Sequence, residues 1–335
     1  MAVASGRGMT MGSDAPDAPW RLETVPTTED GARLDRFMRR LMPGIGQGQI
    51  ERLLRNGVIR LDGAKAKSST RLVAGQLLRL PKHLAITAPA TKKPLTVSRA
   101  DAARQIDDMM LAEGRDWLAL AKPSGLAVQG GTGTSRHIDG LLQALAADPA
   151  TRLRLVHRID KDTSGILLLA KSVPAARDLT AAFQRHRIKK TYLALVNGLP
   201  DDAGRIDASL RKMVGAKGDR MQVDTTGQSA TTLYKQLDHA GRKVALMALR
   251  PLTGRTHQLR IHMAHNGTPI CGDGKYGGEA AHPGGMFARR LHLHAWQLAL
   301  PDGAEIVAPP DGHMKASLDA LGMAVPAQDW RFDES

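Results

Sequence analysis

The chain has 335 residues and a mass of 36.0 kDa, 42% of them hydrophobic, which is enough for more than one domain and a sizeable core. Its 47 Lys and Arg against 33 Asp and Glu give a formal charge of +14 and a pI near 10.2, so polyanions, and nucleic acid first, are the expected partners. No apolar run approaches the roughly 20 residues that cross a bilayer, the first twenty residues lack the basic-then-apolar order of a secretory signal, and the single cysteine, Cys271, excludes an internal disulfide and a cysteine-based zinc site. The expected setting is the cytoplasm, with no membrane partner.

Residues 1–20 are rich in Gly, Ala, Ser, Asp and Pro without apolar period and read as a disordered lead. From Arg33, Leu34, Phe37, Met38 and Leu41 recur at helical spacing. After Pro43-Gly44 a second helix follows with Ile50, Leu53 and Leu54 inward, stopped by Asn56-Gly57. Val58 to Leu61 reads as a strand, Asp62-Gly63 as a turn and Leu77 to Leu80 as a closing strand. Residues 33–82 therefore form a small α/β module. They hold 12 Lys and Arg against 3 Asp and Glu, more than half the excess charge of the chain. Most charge runs are only solvated faces, but Arg36, Arg39, Arg40, Arg52 and Arg55 fall opposite the apolar stripes of both helices, as a phosphate-facing surface requires.

Residues 83–116 read as a linker, first Pro-, Ala-, Thr- and Lys-rich, then charged and without strong caps. Strand-like segments dominate beyond it: Trp117–Ala121, Ile166–Ala170, Tyr192–Val196, Thr231–Leu237, Val244–Leu249 and Ala295–Leu300, with a helical stretch over Ala175–Arg187. This order predicts an α+β domain on a mixed, largely antiparallel sheet over 117–315, followed by a C-terminal tail over 316–335. No heptad or long apolar stripe demands a dimer, so a monomer is favoured.

Four polar, Gly-flanked segments border these strands. Lys122-Pro123-Ser124-Gly125 ends the first. His157-Arg158-Ile159-Asp160-Lys161-Asp162-Thr163-Ser164-Gly165 leads into the apolar run Ile166 to Ala170, which mounts a carboxylate at the mouth of a rigid strand. Lys189-Lys190-Thr191-Tyr192 opens another strand. Thr253-Gly254-Arg255-Thr256-His257-Gln258-Leu259-Arg260-Ile261-His262 continues through Gly272-Asp273 to Tyr276-Gly277. From spacing alone, Tyr192 reads as an ordinary core tyrosine and Arg158 as a surface arginine holding a phosphate.

Together, HRIDKDTSG, KTYLALV and TGRTHQLRIH followed by PICGDGKYG resemble, in sequence and order, the RluA family of pseudouridine synthases over about residues 117–310. KPSGLAVQGG is nearest to its RluC-like subfamily, which modifies 23S ribosomal RNA at several uridines. The two short helices followed by Gly57-Val58-Ile59-x-Leu61-Asp62-Gly63 resemble the S4 RNA-binding domain. Ile159 departs from the family's usual Leu, a volume-conserving swap.

The resemblance implies a pseudouridine synthase fold and an isomerisation of uridines in large-subunit (23S) ribosomal RNA without cofactor or metal. The N1–C1′ bond breaks, the base turns, and C5 joins C1′. It assigns Asp160 as nucleophile or base, with Arg260 beside it, where an opposite charge favours the ionised carboxylate. It places Tyr192 against the base, where it takes the C5 proton, and Arg158 in the gap left by the flipped uridine. Further substrate or RNA contacts are His157, Thr163, Lys190, Arg255, His257 and Gln258.

Three other readings remain open. The histidines at 257, 262, 265, 292 and 294 suggest a metal-dependent hydrolase, weakly, since no matching Glu or Cys set accompanies them. A non-catalytic ribosome-assembly factor is the second, and a synthase acting on tRNA or another RNA the third.

Overall fold

The computed structural model describes residues 19–42, 45–82, 97–130, 134, 136–146, 151–213, 220–285, 287–324 and 332. Contacts divide the chain into two units, Met1–Pro94 and Leu95–Ser335.

The first unit runs β1 (Trp20–Thr24), α1 (Leu34–Leu41), α2 (Gln47–Arg55), β2 (Arg60–Leu61) and β3 (Leu77–Pro81). Its antiparallel sheet has the order β1-β3-β2. One face of each helix is apolar: Leu34, Phe37, Met38, Ile50 and Leu54 are buried with Ile59, Leu72, Leu78 and Leu80. The disordered lead expected over 1–20 therefore ends earlier, because Trp20 opens β1 and the register runs from Trp20 opposite Pro81 to Thr24 opposite Leu77. Residues 1–18 and the Pro43-Gly44 turn lie outside the described residues. A five-residue strand paired more than fifty positions away leaves little local signal.

The second unit comprises α3 (Arg99–Asp107), β4 (Met110–Glu113), β5 (Trp117–Lys122), α4 (Ile138–Leu145), β6 (Arg154–Leu155), β7 (Ser164–Ala170), α5 (Val173–Gln184), β8 (Lys189–Asn197), β9 (Ala203–Asp207), β10 (Leu210–Met213), β11 (Arg220–Val223), β12 (Thr231–Ala240), β13 (Val244–Pro251), α6 (Gln258–His265), β14 (Leu293–Ala299), β15 (Glu305–Val307) and α7 (Gly312–Leu321). Its main sheet has the order β4-β5-β7-β14-β8-β13-β12-β9, with β6 beside β7 and β15 beside β14. It is mixed and mostly antiparallel; β7 and β14 run parallel. The α+β expectation holds. Strand β7 is buried along its whole length, as its apolar sequence requires.

Two boundaries differ from the sequence reading. The expected linker over 83–116 contains α3 and β4. Ser98 caps α3, its Oγ accepting from the Asp101 N–H at 3.0 Å, and Ala102, Ile106 and Met109 pack with Leu118, Leu120 and Leu141. The expected tail over 316–335 begins inside α7, whose Met314 and Leu318 are buried in one cluster with Met323 and Trp296. Farther on, Phe332 lies buried beneath the Arg250 guanidinium, 4.5 Å from ring centroid to carbon.

Candidate active site

The turn that carries Asp160 is fixed from three sides. Ahead of it, Lys122 is fully buried and its Nζ donates to Pro123 O, Leu126 O and Lys161 O at 2.9, 2.8 and 3.0 Å. Ser124 Oγ donates to Asp162 O at 2.8 Å and the Gly125 N–H to Lys161 O at 2.9 Å. The KPSG segment thus acts as a clasp on the turn, and burial lowers the Lys122 ammonium to about 8 against the pull of Asp162 and Asp160.

Behind the turn, the TSG triplet joins it to the sheet. Thr163 is buried and its N–H bonds Asp160 O at 3.2 Å. Ser164 Oγ bonds His294 Nδ1 at 2.8 Å. Gly165 has φ +101°, and a Cβ there would meet Ala295 O at 2.1 Å, so only glycine lets β7 come this close to β14.

The third support comes from the segment around α6. Asp160 is partly exposed, with its Oδ2 3.7 Å from Arg260 Nη1 and 3.7 Å from His257 Nε2. Arg260 grips buried Asp273 by two bonds, Nε to Oδ2 at 2.8 Å and Nη2 to Oδ1 at 2.7 Å, which leaves Nη1 for Asp160. Burial opposes the guanidinium charge, but the Asp273 hydrogen bond and the charges of Asp273 and Asp160 outweigh it and the Arg260 pKa is raised. Tyr276 packs 5.1 Å under Arg260 and its hydroxyl meets His257 Nδ1 at 2.6 Å. His257 sits at the start of α6 with φ 56°, a left-handed conformation uncommon outside glycine. Burial lowers its pKa against the pull of Asp160, with Arg260 and Lys275 adding to the effect, so near neutral pH its approach to Asp160 is that of a neutral ring.

Asp160 stands where two clefts meet. One, of about 470 Å³, runs past Tyr192, Lys190, His186 and Arg255. The other, of about 550 Å³, runs past Lys161, Lys275, Arg289 and Arg290. Arg158, exposed, borders both. One carboxylate between an aromatic cleft and a basic one is suited to a single flipped base on a polyanionic strand.

A family model described as RNA pseudouridylate synthase matches residues 116–265. A Rickettsia bellii protein named ribosomal large subunit pseudouridine synthase C is 36% identical over 80% of this chain and 89% of its own length. The protein of the same name from Vibrio parahaemolyticus is 35% identical over 91% of this chain and 98% of its own. The chain belongs to the RluA family of RNA pseudouridine synthases. It resembles the RluC-like members, and it is an RNA pseudouridine synthase, an isomerase. Among solved structures, human RNA pseudouridylate synthase domain containing 4 is similar with a TM-score of 0.57 and 26% identity, covering 68% of this chain and 98% of that one.

The synthase brings His157, Arg158, Asp160, Thr163, Lys190, Tyr192, Arg255, His257, Gln258 and Arg260 to one cleft. Two of the expected RNA contacts also brace the fold. Gln258 is buried; its Nε2 donates to Thr231 O and Thr232 Oγ1, and its Oε1 accepts from Thr253 Oγ1 and the Arg255 N–H. Its amide holds the 253–255 loop with its hydrogen-bonding capacity filled. His157 stacks on Phe183 with centroids 4.3 Å apart and accepts the Leu168 N–H at Nε2, 2.7 Å away, filling a gap in the β7 ladder. Asp273 and Tyr276, quoted in the GDGKYG motif but given no role from sequence, are the residues that position Arg260 and His257. Their signal was the motif itself, since the pairing is formed only in space.

The five histidines that suggested a hydrolase do not share a site. His262 bonds Thr232 and Ala208 O, His292 bonds Cys271 O and Ser317, His294 bonds Ser164 and Ala308 O, while His257 faces Asp160 and His265 is exposed.

Burial, with Lys190 nearby, depresses the His157 pKa to about 3. The unfolded chain then binds more protons than the native one between about 3 and the ordinary 6.5, so this group's contribution is full above 6.5 and is lost as pH falls through that window. Between pH 7.5 and 5 the expected loss is up to about 2 kcal/mol. Urea unfolding of wild type and His157→Gln at both pH values checks it: the variant should show the shallower dependence, and parallel dependence would contradict the assignment.

Proposed function

We propose that this synthase isomerises uridines of large-subunit ribosomal RNA in the cytoplasm, with Asp160 as the reacting carboxylate and no cofactor. The observation that carries the reading is the placement of Asp160 between the Tyr192 cleft and a groove lined by Lys161, Lys275, Arg289 and Arg290, with Arg260 held at its side by Asp273. The relatives named for the large ribosomal subunit support the choice of RNA.

Each group has a defined task. Arg260 favours the ionised carboxylate that both a nucleophile at C1′ and a base at the ribose require. Arg158, exposed at the junction, fills the space left by the flipped nucleotide. Tyr192 lies in the base cleft; burial first, and then the charge of Asp160, raises its pKa, so it serves as a protonated platform and donor rather than as a resting base. Treatment of unmodified large-subunit rRNA with the protein in EDTA, followed by carbodiimide labelling and primer extension, tests the proposal. New stops at discrete uridines support it; stops only on tRNA would redirect it, and an EDTA-sensitive reaction would return the metal reading.

The S4-like first unit is proposed as the RNA handle. Arg36, Arg39, Arg40, Arg52 and Arg55 are all exposed, and Arg40 is in addition engaged by Glu29 through two hydrogen bonds. Replacing Arg36, Arg39, Arg52 and Arg55 by Gln is expected to weaken rRNA binding and flatten the log–log salt dependence by about 0.7 for each phosphate that is no longer neutralised. Wild-type affinity at every salt concentration would remove the unit from this role.

A further inference from the structure

Lys190 differs from the other cations of the cleft. It precedes Tyr192 by two positions on β8, so both side chains share one face of the sheet, and both line the cleft with Asp160. A Cβ on Gly254 would sit 4.0 Å from Lys190 Nζ, which places the ammonium beneath the 253–255 loop. Burial holds its pKa below the usual lysine range. Arg260 has Asp273 and Asp160, and Lys122 has three carbonyls. Lys190 has no such partner: among the described residues no carboxylate pairs with it and no oxygen accepts its hydrogen bond. Its field instead falls on His157 and His186, whose pKa values it helps to lower. A cation partly withdrawn from water without a partner costs free energy. In a reaction cleft, it has an anion to meet during turnover.

We propose that Lys190 is a catalytic residue of this synthase, its ammonium binding the uracil carbonyl oxygen that gains negative charge when the N1–C1′ bond breaks. The inference rests on the reading of the cleft as a uridine-isomerising site. In either route the electron pair of that bond leaves with the base, giving a uracil anion whose charge is shared by N1, O2 and O4. The ribose is satisfied by a bond from the Asp160 carboxylate to C1′, or by loss of a C2′ proton to that carboxylate with a C1′–C2′ double bond. Attack of C5 on C1′ returns the pair to a C–C bond and expels the carboxylate or regains the C2′ proton; C5 then loses its proton and N1 gains one. Phosphates have other partners at the rim, where Arg255 and Arg289 are exposed. The half-buried ammonium beside Tyr192 is left for the base.

Single-turnover conversion of an rRNA fragment carrying a mapped target uridine, by wild type, Lys190→Met and Lys190→Arg, tests the role. With saturating enzyme the Met variant is expected to be slower by about 100-fold, with RNA affinity unchanged and the melting temperature no lower, and Arg to restore part of the rate. A fragment with 5-fluorouridine at the target gives a second measure. Fluorine stabilises the departing anion, so Lys190→Met should slow consumption of that nucleotide less than it slows uridine. A full rate for the Met variant would overturn the role, as would loss of affinity alone with a flatter salt dependence, which marks a phosphate contact. Equal losses on both nucleotides together with a lowered melting temperature would mark a structural lysine and overturn it as well. Wild type that forms no pseudouridine on any ribosomal fragment would overturn the reading of the cleft itself, whereas active wild type with fully active Lys190→Met overturns only the role of Lys190.

Discussion

Asp160→Asn is expected to yield a folded protein that binds RNA at wild-type affinity and forms pseudouridine at least about 100-fold more slowly. The substitution keeps the shape of the side chain and removes its charge. The turn does not depend on that charge, because it is held by the Lys122 bonds, by Ser124 Oγ on Asp162 O and by the Thr163 N–H on Asp160 O. Nor is Arg260 orphaned, since Asp273 still grips it through two bonds. Stability should therefore change by no more than about 0.5 kcal/mol. The size of the kinetic loss carries information beyond its sign. A positioned base contributes about 10²–10⁴-fold, whereas removal of a covalent nucleophile costs on the order of 10⁶-fold. Single-turnover rates separate these ranges, and Asp160→Ala run in parallel guards against deamidation of the asparagine. Conversion at the wild-type rate by both variants would take Asp160 out of the reaction.

Most of the catalytic sheet was legible because its strands are short apolar runs bounded by polar turns. Trp117–Ala121, Ile166–Ala170 and Tyr192–Val196 all fall within observed strands. Elements with weaker local signals were not legible. Helix α3 buries only Ala102 and Ile106, too narrow a stripe for periodicity to register, and α7 was split by a domain boundary drawn at residue 315. At the site, the Asp160 turn could be read because its polar residues abut a wholly apolar strand. The inward orientation of His157 and the four-way engagement of the Gln258 amide could not, since both depend on partners from other elements. The same holds for Arg260. The family resemblance places it beside Asp160, and it is 3.7 Å away, but its two short bonds go to Asp273. The residue that holds the arginine in place thus lies thirteen positions along the chain, beyond a turn built on Gly272, whose φ is +77° and whose Cβ would meet Arg290 O at 1.8 Å.

That arrangement leads to the second large expected effect, at Asp273. Asp273 is 1% exposed and Arg260 7%, so Asp273→Asn leaves a guanidinium in the protein interior without its counter-charge. Breaking a buried pair from one side costs about 3–5 kcal/mol, and the urea midpoint should fall accordingly. Activity should fall as well, because Arg260 loses the two bonds that aim its Nη1 at Asp160, and the Lys275 and Tyr276 N–H groups, each 3.2 Å from Asp273 Oδ1, lose a charged acceptor. Stability and function can then be separated by replacing both partners. Arg260→Met with Asp273→Leu removes both charges and keeps apolar volume, and such exchanges are often neutral or stabilising. The double variant should recover most of the lost stability while remaining catalytically impaired, since nothing is left at Arg260 to favour the ionised form of Asp160. If it regained activity along with stability, the pair would be a fold element only; if Asp273→Asn alone proved as stable as wild type, Asp273 would not be the anchor that this geometry assigns. The recovery of stability without chemistry is the outcome expected of an arginine that one aspartate holds in place so that another can react.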